Sequence, residues 1–338
     1  MKAMLLNQFG EDLVYSDVPE PEPMPGEVRL IVEACGTCGS DLKIVSGKHP
    51  NCAQIQLPFI PGHEVCGRID KLGEGVSGWE IGDRAVVSMY KGCLTCESCR
   101  RGSEQLCESP LLQITGFNTD GGYAEKMVTR VRNLVRIPDS LPSEKAAIVT
   151  DALGSSYRAA FEIAKVKAQE SALVVGCGGL GVHMIQLLKM AGLEVTVCDI
   201  NPDRLEIAPK FGVDHIIYGS HLEVPEEMKF DVIFDVSGKI SDYDSFLKHA
   251  KRKARFVMVG YSVDAPSAFM SSLAHINEIQ MLGIRGASYL NFKNVMQLVI
   301  DGKIEPVVGR TAPLSEANEV LAELKAGTKT PGRLVLIP

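Results

Sequence analysis

The sequence predicts an α/β protein in two parts, and three observations carry that expectation. The chain has 338 residues, enough for two domains at roughly 150 residues each. Up to residue 140 the apolar pattern is that of short strands broken by glycine and proline turns. Beyond it, strand-sized apolar runs alternate with helical ones. That alternation implies a doubly wound parallel sheet with helices on both faces.

In the first part, Glu27 to Ala34 alternates and is rich in branched residues. Val65 to Lys71 and Asp83 to Met89 follow, set apart by turns at Gly73-Glu74-Gly75 and Gly78 to Gly82. Pro19 to Pro25 is a loop, and Trp79 reads as packing under its turn. A helix starts at Ser143 to Ala147, and helical period continues from Ser155 to Val166. Strands are expected at Ala172 to Val175, Val195 to Ile200, His215 to Tyr218, Phe230 to Val236 and Arg255 to Gly260. Helices are expected between them: Gly181 to Ala191, with Val182, Ile185 and Leu188 on one face, Asp203 to Phe211, and Tyr243 to His249. The final stretch holds a helix at Asn291 to Asp301 and strands at Val307-Val308 and Arg333 to Ile337. It does not repeat the βα unit, so a return to the first part is expected.

Composition removes several classes of function. A hydrophobic fraction of 45% against 23% charged residues excludes intrinsic disorder. No apolar run reaches the roughly 20 residues of a membrane span. A net charge of −7 opposes a phosphate-backbone binder, which needs a basic face. Residues 1–8 hold too short an apolar stub for a secretory signal, so a cytoplasmic location is expected. There thiols stay reduced, and the ten cysteines point to metal or redox chemistry rather than disulfides.

Cys93, Cys96, Cys99 and Cys107 form C-x2-C-x2-C-x7-C. Four close thiolates surround one tetrahedral zinc and leave no open position, which is a structural site. The surrounding segment is too polar to build its own core, so a metal replaces one. An iron–sulfur cluster fits less well, because the last gap is seven residues and no proline follows Cys107. Cys35 and Cys38 form C-x-x-C between a strand and a possible helix, the context of a dithiol oxidoreductase. That reading leaves the other motifs unexplained. A zinc-ribbon binding protein is the other rival, opposed by the net charge and by the lack of interleaved basic and aromatic residues. Cys52, Cys66 and Cys198 read as small buried hydrophobes.

Gly176-Cys177-Gly178-Gly179-Leu180-Gly181 follows a strand and opens a helix, which is the context a dinucleotide loop requires. The helix N-terminus supplies N–H donors for a pyrophosphate. Asp199 ends the next strand, 18 positions after Gly181. A carboxylate there accepts ribose hydroxyls and repels a 2′-phosphate, which favours NAD over NADP. Ile200 and Arg204, just beyond it, are further cofactor candidates.

Three further segments carry reactive side chains: Cys35 to Asp41, Pro61-Gly62-His63-Glu64, and Thr150 to Arg158 with Asp151. Together with the cysteine lobe and the glycine loop, in this order, they resemble the zinc-dependent medium-chain alcohol dehydrogenases over essentially the whole length. The resemblance implies a GroES-like β-barrel catalytic domain, residues 1–150 and 288–338, interrupted by a Rossmann domain, residues 151–287. It implies NAD and two zinc ions per chain, one catalytic and one structural. Cys38 and His63 would be catalytic zinc ligands, with Asp151 where relatives often have cysteine. Glu64 is the competing carboxylate, and a helix N-cap is the plain alternative for Asp151. Ser40 would relay the alcohol proton, and Asp41 would orient His63 through its other ring nitrogen. Lys43 stands where many relatives have a relay histidine, and His49 reads as a loop residue. Arg333 is matched to a pyrophosphate-binding arginine. Met89, Tyr90, Phe117, Tyr261 and Arg285 are implied pocket residues, each with packing as the plainer reading. For Arg285 the choice lies between attracting an anionic substrate and a surface or interface salt bridge. The implied reaction is hydride transfer between an alcohol or carbonyl compound and NAD in a homodimer or homotetramer, without nucleic acid or membrane. A polyol or amino-alcohol dehydrogenase using the same machinery is the alternative.

Overall fold

The computed structural model describes residues 1–338 apart from Ser241, Ala265, Lys329 and the side chain of His221. Two sheets organise the chain. The first has seven strands: Val308–Pro313, Arg333–Ile337, Glu27–Gly36, Glu64–Leu72, Arg84–Val87 and Leu134–Arg136 in spatial order, with Lys126–Arg130 also paired to Glu27–Gly36. One face packs on a core that includes Leu30, Val65, Tyr123 and Leu336, and the other on a second core with Ala34, Cys66, Val86 and Val335. The C-terminal strand joins it antiparallel, with Val335 opposite Gly36 and Leu336 opposite Cys35.

The second sheet runs His215–Tyr218, Glu194–Asp199, Ser171–Val175, Phe230–Asp235, Ala250–Met258 and Gln280–Gly283, with every neighbouring pair parallel. In chain order within the sheet this is 3-2-1-4-5-6, the doubly wound order that leaves a crevice at the carboxyl ends of its first strands. The central strands read as continuous apolar runs because helices cover both faces. Gly181–Met190 is correspondingly buried all round over Gly181 to Leu188, not on one face alone. Among the described residues, no helix is long and apolar enough to cross a membrane.

Several elements differ from expectation for local reasons. The helix expected at Asp203 to Phe211 splits into Pro202–Leu205 and a 3-10 turn, Ala208–Phe211. Pro209, which lacks an N–H and crowds the preceding turn, stands at the break. The Ser155 to Val166 helix begins earlier, at Ala152, and widens into a π-helical turn over Ala159–Ile163. The Tyr243 to His249 helix shortens to Asp244–Leu247, and the Arg255 strand begins at Ala250. The Val307-Val308 strand extends as Val308–Pro313. The sixth strand, Gln280–Gly283, and the helices Ser271–Asn277 and Ala317–Ala326 had no distinct sequence signal.

Leu336 tests how far the first core depends on the returning strand, because its side chain is fully buried there. Leu336→Ala should cost about 2–5 kcal/mol of stability, read as a fall in the midpoint of a denaturant melt; an unchanged midpoint would contradict this packing.

Candidate functional site

Three chain segments meet at one buried point. Cys38 caps the helix Gly39–Val45, which leaves the end of strand Glu27–Gly36. The cap is closed by Asp41, whose Oδ2 accepts the Cys38 N–H at 2.8 Å. Asp41 is fully buried and fully used: Oδ1 faces His63 Nδ1 at 3.1 Å, and Oδ2 also accepts from the Tyr123 hydroxyl at 3.1 Å. With Nδ1 facing Asp41, His63 turns Nε2 toward Cys38 and Asp151, the nitrogen a metal would take on displacing its proton. His63 itself leaves a turn at Gly62, whose φ is +98°. A Cβ there would lie 2.3 Å from the Tyr123 ring, so only glycine fits.

Asp151 joins this pair from a different part of the fold, ahead of helix Ala152–Arg158. Its Oδ2 lies 3.3 Å from Cys38 Sγ and 3.7 Å from His63 Nε2. Its Oδ1 accepts from Ser155 Oγ at 2.8 Å. It makes no side-chain bond to the helix backbone, so the N-cap role expected as the alternative is not what its carboxylate does. One donor atom each from Cys38, His63, Glu64 and Asp151 lies within 4.8 Å of the others. An ion held at about 2.0–2.3 Å spaces its donors roughly 3.3–3.8 Å apart. The Cys38–Asp151–His63 spacings fit that requirement, and the mixed sulfur, nitrogen and oxygen set suits zinc.

Glu64 opens strand Glu64–Leu72 and accepts from Arg333 Nε at 2.9 Å and 3.2 Å and from Nη2 as well. Arg333 Nη2 also donates to Asp151 Oδ2 at 2.7 Å. The guanidinium therefore spans both carboxylates, and its other side touches the glycine loop: a Cβ on Gly179 would lie 2.8 Å from Arg333 Cδ. Arg333 lies against the glycine loop, and its charge is shared by Glu64 and Asp151. Burial alone would raise Asp151, yet the bonds to His63, Arg333 and Ser155 hold its carboxyl well below the usual range. Burial pulls His63 down, while Asp41, Asp151 and Cys38 together lift it well above an ordinary imidazole.

The four-cysteine segment is a second donor cluster, with all four sulfurs within 4.8 Å. Cys93–Cys99 and Cys96–Cys107 are each 4.0 Å apart, close to the roughly 3.8 Å edge of a tetrahedral zinc–thiolate site. Backbone N–H groups of Thr95 and Cys96 point at Cys93 Sγ at 3.4 and 3.3 Å. The Thr95 hydroxyl, followed by those N–H groups, pulls the Cys93 thiol down to about 5, whereas burial pushes Cys99 up to about 12. Cys35, by contrast, lies buried in the first core with its thiol pushed well up by burial and by Asp41. That is an inert thiol, which removes the dithiol reading.

The glycine loop has the form that a pyrophosphate needs. Space around Gly178 is open for 4 Å, and a Cβ on Gly181 would lie 1.9 Å from the Gly176 oxygen. Asp199 ends its strand beside the loop, accepting from Cys177 N at 2.7 Å and Asn201 N at 2.8 Å. Ile200 is exposed beside it. Arg204 lies 3.6 Å from Asp199 but donates through Nε to the Thr328 oxygen. Leu180 caps the helix and accepts from Ser156 Oγ. His183, which carried no sequence signal, locks the loop from behind. Burial lowers its pKa to about 3, so it is neutral. Nε2 accepts from Val307 N at 2.9 Å, which leaves Nδ1–H for the Gly179 oxygen at 2.6 Å.

Around the metal cluster, Phe117 stacks 4.7 Å from the His63 ring and 5.0 Å from that of His49. Ser40, in the first turn of its helix, lies beside the Tyr261 hydroxyl. Lys43 Nζ donates to the Tyr261 oxygen at 2.8 Å and lies 3.4 Å from that ring's centre. His49, in the loop ahead of the 3-10 turn Pro50–Gln54, also faces Tyr261, at 6.3 Å. Met89 is packed into the first core. Tyr90 is buried there too, with Arg285 5.9 Å from its ring centre. No carboxylate among the described residues lies within 4.0 Å of Arg285, so the expected surface salt bridge does not form within this chain.

Comparison with known proteins places these features in a family. The family described as alcohol dehydrogenase GroES-like domain matches residues 24–139, and that described as zinc-binding dehydrogenase matches residues 179–301. An NAD-dependent alcohol dehydrogenase of Sulfurisphaera tokodaii is 31% identical over 100% of both chains. An acryloyl-coenzyme A reductase of Metallosphaera sedula is 30% identical over 99% of each. The solved alcohol dehydrogenase of Aeropyrum pernix is 30% identical, covers 100% of both chains and superposes with a TM-score of 0.92.

The Arg333 bridge has a measurable consequence. Glu64→Ala leaves a buried guanidinium with one carboxylate fewer and should cost about 3–5 kcal/mol. Glu33 bonds the half-exposed Arg68 at 3.0 Å, and Arg68→Ala should cost no more than about 1 kcal/mol. Equal melting shifts for the two variants would refute this ranking.

Proposed function

The chain belongs to the zinc-dependent medium-chain alcohol dehydrogenases and is an NAD-dependent oxidoreductase of alcohols; from that premise we propose which residues carry the reaction. The observation that carries the reading is the convergence of Cys38 Sγ, His63 Nε2 and Asp151 Oδ2 at metal-ligand spacing. These three residues would hold the catalytic zinc. Glu64 stands ready behind them, both oxygens engaged by Arg333. When bound, zinc supplies a Lewis acid at the alcohol oxygen and NAD supplies the hydride acceptor.

The chain's own groups do the rest. Asp41 fixes the His63 ring and its tautomer. Ser40 Oγ takes the hydroxyl proton toward solvent. The glycine loop, with Gly176, Gly178, Gly179, Leu180 and Gly181, holds the pyrophosphate, and Asp199 accepts from the ribose and disfavours a 2′-phosphate. Atoms balance as alcohol plus NAD⁺ giving carbonyl, NADH and one proton. The proton leaves the hydroxyl, and the carbon loses hydrogen with its electron pair. Cys93, Cys96, Cys99 and Cys107 would hold a second, structural zinc. We also assign residues 1–150 and 288–338 to the catalytic unit and 151–287 to the cofactor unit, in a cytoplasmic homodimer or homotetramer.

Metal analysis of the purified protein should find about two zinc ions per chain. Asp151→Ala should abolish turnover and lose one ion while NADH binding, followed by fluorescence, persists; wild-type turnover in that variant would sink the ligand assignment. Asp199→Ala should erode the preference for NAD over NADP, and an unchanged ratio of kcat/KM for the two cofactors would refute the ribose role.

A further inference from the structure

The wall outside the metal cluster carries a charge pattern that the reaction alone does not require. The chain as a whole is acidic, at −7. Yet His49, which shares Phe117 with His63, meets Tyr261, Tyr261 meets Lys43, and Arg285 lies on Tyr90: two cations and three groups that present a hydrogen-bond donor. The carboxylates within reach are already spent. Asp151 and Glu64 share Arg333, and Asp264, beside Lys43, pairs with Lys48.

Lys43 is engaged with Tyr261 through its carbonyl and its ring. Arg285 is not engaged with any carboxylate among the described residues. It sits, exposed, in the turn between strand Gln280–Gly283 and helix Tyr289–Ile300. Its guanidinium lies over the Tyr90 ring at 5.9 Å. Tyr90 is held in place by burial, with its hydroxyl packed on Gly286, where a Cβ would approach to 2.4 Å. Burial pushes that hydroxyl up to about 12, so it stays protonated and able to donate. Tyr90 also lies within the electrostatic reach of Asp151 and His63, and His49 within that of Arg285 and His63. His49 shares the Phe117 ring with His63, at 5.0 and 4.7 Å, and Arg285 on Tyr90 borders the same group of side chains. His49 is neutral, its pKa lowered to about 4 by burial and then by Lys43, His63 and Arg285. Its Nδ1 accepts from Asn51 N at 3.1 Å, so its proton is on Nε2.

We propose that Arg285 binds an oxyanion on the substrate, so that the alcohol oxidised carries a carboxylate or phosphate. A planar guanidinium beside an aromatic ring matches such a group with two parallel donors, and a cation with no carboxylate partner draws anions to an otherwise acidic protein. This rests on the dehydrogenase reading above and narrows its substrate.

The test uses the metal-loaded full-length protein with NAD. Its substrates are hydroxy acids with one, two or three carbons between carboxylate and hydroxyl, each beside its methyl ester, and glycerol 1-phosphate beside glycerol. At least one anion should exceed its neutral partner in kcat/KM by roughly 10- to 100-fold. In Arg285→Gln that ratio should collapse toward one, and Arg285→Lys should restore part of it. The ratio cancels any general damage to folding or metal content. Equal use of charged and neutral partners by the wild type overturns the proposal, as does a preference that survives in Arg285→Gln. In both cases turnover of the neutral alcohols leaves the dehydrogenase reading standing. If no alcohol, charged or neutral, reduces NAD, that reading fails and takes the oxyanion with it. Carboxylates and phosphates scoring differently identifies which oxyanion Arg285 prefers.

Discussion

A single guanidinium ties the working parts of this molecule together. Arg333 comes from the returning strand, Glu64 from the strand that follows His63, and Asp151 from the turn leading toward the cofactor unit. Two buried carboxylates without a cation would cost several kcal/mol each and would repel one another. With Arg333 between them they are held at bonding distance, and Asp151 is presented to Cys38 and His63 by the same oxygen that Arg333 grips. The other side of the arginine rests against Gly179. The Cys38–His63–Asp151 cluster and the glycine loop thus meet at one side chain.

Asp41 does comparable work at smaller range. It closes a helix cap, sets a histidine tautomer and receives a tyrosine hydroxyl. Because all of its bonds are buried, His63 has little freedom to turn away from its neighbours, and Gly62 keeps the Tyr123 ring close enough to complete the set. The site is stiff on this side. On the other side, Lys43, His49 and Tyr261 meet through a carbonyl bond and ring contacts across two parts of the chain, a looser arrangement.

What was legible in the sequence follows how local each feature is. The thiol lobe and the glycine loop declare themselves because their donors lie within a few residues of one another, and spacing alone encodes the geometry. The alternation of strands and helices was legible through Ala250–Met258 for the same reason. Tyr123 was not, because it reaches Asp41 across 82 positions and nothing near it marks the contact. His183 looks like one polar residue in an apolar helix until Val307 is brought to it across 124 positions. The strand Gln280–Gly283 hides among loops because it is an edge strand, paired on one side only. Arg333 was placed by resemblance near the cofactor; that it also neutralises Glu64 is a tertiary fact that no spacing could express.

The distance along the chain between Glu64 and Arg333 is 269 residues. A ribosome therefore exposes Cys38, His63, Glu64 and the four-thiol lobe long before it delivers the cation that makes the buried carboxylates tolerable. The lobe's four thiols span only residues 93 to 107, so their meeting is local in the chain. The other cluster has to wait for translation to pass residue 333. The four-thiol cluster is thus complete within one short segment, whereas the buried carboxylates meet their cation only once the two ends of the chain have come together.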